Sequence, residues 1–171
     1  MRKFFLIFLA LQVLLLGMVE LRALQQQFVL PWTHLVAMAC SVLVMVFDGN
    51  AAAMNNLLWN PVTGFGVSIE PGCNGVEAYI ILLAAIVAYP STWRMRLWGL
   101  AWGFVAVQGL NVVRVISLFY LGQWNQAAFH LAHTYLWQGL IMLDVLVFWL
   151  FWVRASARTN GAPGGLSTLP Q

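Results

Sequence analysis

Glu70-Pro71-Gly72-Cys73-Asn74-Gly75-Val76-Glu77, followed at once by the uncharged run AYIILLAAIVAY at 78–89, joins a polar turn to an apolar helix without a linker. Gly72 and Gly75 supply backbone freedom that no residue with a Cβ offers, and Asn74 favours turns. If Gly75 opens the helix, Cys73 lies just ahead of its first turn. Free N–H groups and the positive end of the helix dipole there favour a thiolate. The plainer reading of the same residues is a buried and chemically idle thiol.

Outward from this stretch the chain stays apolar. Of its 171 residues, 62% are hydrophobic and only 8% charged, with nine Trp and eleven Phe. An ordinary soluble domain has about a quarter of its residues charged. The remaining solvent is lipid, in which a helix satisfies its own backbone groups. The net charge of +3 is small and collects at segment ends, so nothing here resembles a nucleic-acid footprint. The expectation is an all-α polytopic membrane protein with the lipid bilayer as its surroundings and one domain over residues 1–153.

In chain order, Arg2 and Lys3 precede an apolar run at 4–19 with no Ala-x-Ala-like site after it, which reads as an uncleaved anchor helix. Residues 21–31, with Gln25, Gln26 and Gln27, read as a polar link. Residues 35–47 are 13 apolar or small residues, short of the roughly 20 that a span needs. Charge parity bears on that segment. Four spans at 4–19, 75–89, 97–121 and 133–153 place Arg2 and Lys3, Arg94 and Arg96, and Arg154 and Arg158 all on the cytoplasmic side. A fifth crossing at 35–47 would put Arg2 and Lys3 outside, so this segment reads as a short interfacial or re-entrant helix. In the polar region 55–71, Phe65, Val67 and Ile69 alternate with small or polar residues, the period of a half-buried strand. With Leu57-Leu58-Trp59 as partner and a turn at 61–64, they predict a small extracytoplasmic β-hairpin. Residues 154–171 lose the apolar pattern and read as a mobile cytoplasmic tail.

This topology gathers chemistry at one level. Cys73 lies at the outer end of its span. Arg114 lies 17 residues beyond Leu97, about 25 Å up at 1.5 Å per residue. His130 and His133 open the last span on the same side. A thiolate that attacks a carbonyl, a cation that stabilises developing negative charge and an imidazole that moves protons form an acyl-transfer set. Each residue also has a structural alternative. Arg114 near a helix end can snorkel, Asn111 one turn below can pack between helices, and either histidine can serve a helix interface. At mid-depth, Gln12, Gln108 and Asp144 sit within about 12 to 17 Å of their cytoplasmic ends, which predicts an interhelical hydrogen-bond cluster.

Pro71-Gly72-Cys73-Asn74-Gly75, then Asn111-Val112-Val113-Arg114 in a later span, then a histidine opening the next, resemble the exosortase/archaeosortase family. The stretches 72–78 and 116–125 resemble its H subtype in particular. The resemblance implies a cysteine transpeptidase of the bacterial inner membrane, with its active site facing the periplasm. Its substrates would be exported proteins bearing a C-terminal sorting signal: a short motif, a membrane helix and a basic tail. It implies Cys73 as nucleophile, Arg114 as transition-state stabiliser and His133 as acid/base, with His130 the lesser alternative. Asn74, Glu77 and Asn111 would support them. No metal or other cofactor is implied. The longer members have about eight spans, and the span count expected here departs from theirs.

Two readings from other classes stand beside this one. A non-catalytic assembly or scaffold subunit would need no reactive thiol. A membrane thiol-redox protein would need a resolving cysteine, for which only Cys40 is available.

Overall fold

The computed structural model describes residues 2–160. Among these, α1 (Arg2–Val19), α2 (Arg22–Leu24) and α3 (Leu30–Phe47) precede three short strands, β1 (Ala52–Met54), β2 (Leu57–Trp59) and β3 (Gly66–Ser68). Then come α4 (Val76–Ala88), α5 (Trp93–Trp124), α6 (Gln126–Leu131) and α7 (Trp137–Asn160). Single π-helical turns at Gln25–Val29 and Ala132–Leu136 fuse α2 to α3 and α6 to α7. Four helical runs are long and apolar enough to cross a bilayer: Arg2–Val19, Arg22–Phe47, Trp93–Trp124 and Gln126–Arg158. The protein is therefore a multi-pass, mostly helical membrane protein with a small antiparallel sheet. Its exposed surface agrees. No residue of α1 is buried, and Phe5 and Leu6 are each 68% exposed, which suits lipid and not water.

The set of long helices differs from expectation at two places: the run Arg22–Phe47 joins it, and the expected span at 75–89 does not. Residues 35–47 are not a short separate helix but the end of the 26-residue run Arg22–Phe47, and the expected polar link at 21–31 is largely helical. Glutamine is a good helix former, and Pro31, which has no N–H to give, sits just after the π turn Gln25–Val29, where the regular α-helical ladder is already interrupted. Conversely α4 has 13 residues and is shorter than those four runs. At the far end α7 continues through Asn160, past the expected boundary at 153. The rest of the expected tail, residues 161–171, lies outside the described residues.

α4 runs through the centre of the bundle. Phe4 at the start of α1 meets Tyr89 just after α4 (ring centroids 6.5 Å apart), so α1 and α4 are antiparallel. Leu82 and Ile86 of α4 pack with Val107 of α5 and with Ile141, Val145 and Trp152 of α7. Gly103 makes this approach close, because a Cβ there would lie 3.1 Å from the Phe148 ring and closer still to Leu82.

The sheet order is β1-β2-β3, antiparallel throughout. The anticipated hairpin is β2 and β3, with Leu58 opposite Val67. β1 was not anticipated, since Ala52-Ala53-Met54 lacks the β-branched and aromatic residues that mark strands. Leu58, Val67 and Ile69 turn inward onto Val36, Ala37, Cys40 and Val44 of α3 and onto Val115 and Phe119 of α5. That core clamps the sheet over the start of α4.

The mid-depth polar cluster is not formed. No hydrogen bond joins Gln12, Gln108 and Asp144 among the described residues, and both glutamine Oε1 atoms lack a partner. The Gln108 amide lies instead against Gly75, where a Cβ would come within 3.0 Å of it. Matched depth does not ensure matched azimuth, because each helix turns about 100° per residue.

Candidate active site

The turn before α4 is built by its own side chains. Gly72 and Gly75 have φ of +86° and +77°, the left-handed region that disfavours a Cβ. The Cys73 N–H donates to Glu70 O at 2.9 Å, and the Gly72 N–H donates to Glu77 Oε1 at 2.9 Å. Asn74 is fully buried; its Oδ1 accepts from the Val76 N–H at 3.1 Å and so satisfies one of the free donors of α4. Asn74 Nδ2 donates to Thr33 Oγ1 at 3.0 Å, and Thr33 Oγ1 donates to Val29 O at 2.8 Å. The Trp32 indole N–H reaches Asn74 O at 3.4 Å. These bonds hold Cys73 half-buried, just ahead of the first turn of α4.

Two further helices bring their side chains to that sulfur. Arg114, 3% exposed on α5, directs Nη2 at Cys73 Sγ across 3.3 Å. His133, in the π turn Ala132–Leu136, has Nε2 3.6 Å from the same Sγ. Such turns inside α-helices often coincide with functional residues. The His133 ring lies parallel to Phe129, with centroids 5.7 Å apart and planes at 7°. Phe129 in turn meets Phe65 of the hairpin edge-on at 6.2 Å. Cys73, Arg114 and His133 line one narrow cleft with Ser68 and Ile69.

Among the described residues no carboxylate pairs with Arg114, and its Nε lacks a hydrogen-bond partner. A buried guanidinium without a carboxylate calls for another anion. The atom that its Nη2 meets is sulfur.

Of the remaining sequence-derived candidates, Asn74 and Glu77 shape the turn and do not face the cleft. Asn111 is fully buried one turn before Arg114, with neither side-chain polar atom hydrogen-bonded among the described residues. His130 is exposed and stands edge-on to Phe129, with ring centroids 5.7 Å apart, and does not line the cleft. Both cysteines are free, and Cys40 is fully buried in the core beneath the sheet. Thr33, Trp32, Phe129 and Ser68 were not singled out from the sequence. Thr33 and Trp32 act across 41 and 42 residues through single hydrogen bonds, and Phe129 and Ser68 through packing and position, for which no spacing rule exists.

The arrangement puts a thiol sulfur within hydrogen-bond reach of a cation and 3.6 Å from an imidazole nitrogen. That constellation is recognised by geometry and role, not by sequence order. Residues 1–153 match a family model described as transmembrane exosortase (Exosortase_EpsH). Neither the curated proteins nor the solved structures gave a match. Since the family match runs from the anchor helix to near the end of α7, the chain belongs to the transmembrane exosortase family.

Proposed function

We propose that this exosortase is a cysteine transpeptidase that cleaves C-terminal sorting signals of exported proteins at the periplasmic face of a bacterial inner membrane. The observation that carries the reading is Cys73 Sγ lying 3.3 Å from Arg114 Nη2 and 3.6 Å from His133 Nε2. The Cys73 thiolate attacks the scissile carbonyl carbon, and the carbonyl electron pair moves onto oxygen, where the Arg114 guanidinium stabilises it. The intermediate collapses with rupture of the C–N bond. The imidazolium of His133 gives its proton to the departing amine, which leaves with the substrate's membrane helix, and a thioester remains on Cys73. An acceptor amine or water then attacks the thioester. His133 takes the proton of the attacking group, the C–S bond breaks, and the thiolate is restored.

The bilayer presents the substrate helix laterally, so the scissile bond arrives at the depth of the cleft without a deep pocket. The test is replacement of Cys73 by Ala, followed by comparison of membrane proteins in the two strains. Uncleaved partners should accumulate with their helices retained. Continued processing without Cys73 would defeat the reading.

A further inference from the structure

β3 is an outer strand of the sheet and pairs only with β2. Asn60 N–H donates to Phe65 O and Ile69 N–H to Asn56 O, each at 2.8 Å, while Leu58 opposes Val67. Phe65, Val67 and Ile69 therefore turn their backbone groups toward β2. The alternation of an antiparallel ladder points the N–H and C=O of Gly66 and Ser68 the other way. No backbone partner meets them there among the described residues, and both residues are exposed. An exposed edge of this kind is a template for another extended chain.

What distinguishes this edge is where it leads. Ser68 lines the same cleft as Cys73, Arg114 and His133, and the strand continues through Ile69 and Glu70 to Cys73 itself. It also has a direction. Phe65, just before β3, packs against Gly122, whereas Cys73 meets Arg114, eight residues earlier on α5. The strand thus descends along α5 toward the cleft by about 12 Å.

We propose that the free edge of β3 docks the extended segment of the substrate that precedes its membrane helix, as an added strand. The inference rests on the transpeptidase reading and names how that site takes its substrate. A chain entering from the outer side with its helix still to come runs in the same sense as β3, so the pairing is parallel. About four residues at roughly 3.3 Å each cover the descent. Backbone hydrogen bonds to Gly66 and Ser68 supply register, and the next peptide bond lies over Cys73 Sγ. Recognition of this kind reads the main chain, with side-chain selectivity left to alternate positions.

The test uses the full-length protein in membranes, with the partner that accumulates uncleaved in Cys73→Ala cells as probe. Ser68→Pro removes an N–H that the β2 ladder does not use, a substitution that edge strands tolerate. Ala53→Pro is the matched control, since Ala53 turns its N–H away from β2 on the opposite edge. Ser68→Pro should slow processing about tenfold relative to Ser68→Ala, which loses the same hydroxyl bonds to Asn56 and Glu70 but keeps the N–H, and Ala53→Pro should match wild type. Wild-type rates in Ser68→Pro would overturn the proposal.

If both proline variants are slow, the sheet itself has been disturbed and a second measurement decides. In the Cys73→Ala chain, Ser68→Cys is combined with single cysteines walked along the substrate segment. Disulfides at every second position support an added strand. No disulfide, an even pattern, or Ser68→Cys linked to its own copy overturns it. Processing that survives Cys73→Ala sinks the transpeptidase reading itself. Loss in Cys73→Ala with normal rates in Ser68→Pro sinks only the docking strand.

Discussion

Gly122 leaves room for a series of rings that ends on His133. A Cβ at that position would overlap the Phe65 ring, Phe65 abuts Phe129 at 6.2 Å, and Phe129 stacks on His133 at 5.7 Å. Gly122→Ala should push this relay of rings toward the cleft. A misplacement of about 1 Å in a catalytic group costs roughly 100-fold. The expected outcome is slowed processing of about that size at normal protein level, read by pulse–chase; an unchanged rate would dismiss the relay. Arg114→Lys keeps the charge but loses the planar fork. Processing should fall to near background with the protein still present on an immunoblot, and near-normal activity would show that any cation suffices there. Cys73 and Arg114 stood out as candidates because each is an unusual residue for its place, a thiol in a glycine turn and a cation within a span, whereas between His130 and His133 only the family resemblance chose. Phe129 and Thr33 did not stand out, since an aromatic or a threonine in a membrane helix is ordinary until its neighbour is known.

Among the elements, the run Arg22–Phe47 was the least legible. Its length and composition suit a crossing, yet its contacts tie it to one end of the bundle. α1, antiparallel to α4, ends on the side where α4 begins, and Thr33 is bonded to Asn74 on that side. Residues 22–33 therefore start and finish toward the same end. Beyond them α3 carries the sheet on Val36, Cys40 and Val44. Single cysteines at Gln26 and at Asn56, in a chain without Cys40 and Cys73, should both be labelled by an impermeant maleimide from outside. Labelling at Gln26 only after permeabilisation would show a true crossing. Hydropathy could not decide this, because a helix flat on a bilayer and one standing in it both need apolar faces. The hairpin was easier, since period-two alternation beside a turn has few other readings.

At the scale of the molecule, composition alone sufficed to name the solvent, and the exposed Leu, Val and Phe of α1 and α3 bear it out. What composition withheld was depth. α4, the helix that delivers Cys73, has 13 residues and is about 20 Å long, whereas a hydrocarbon core is roughly 30 Å thick. Such a mismatch is met by local thinning of the bilayer or by a helix end held below the headgroups. Reconstituted into phosphatidylcholines of increasing acyl-chain length, the protein should process its partner more slowly at each step, because a water-borne acceptor has further to descend. A rate indifferent to chain length would place the sulfur at the surface. If the proposed reaction slows in this way, the short central helix would make the membrane a rheostat: cells that change their fatty acids with temperature or growth phase would retune it without altering the amount of protein.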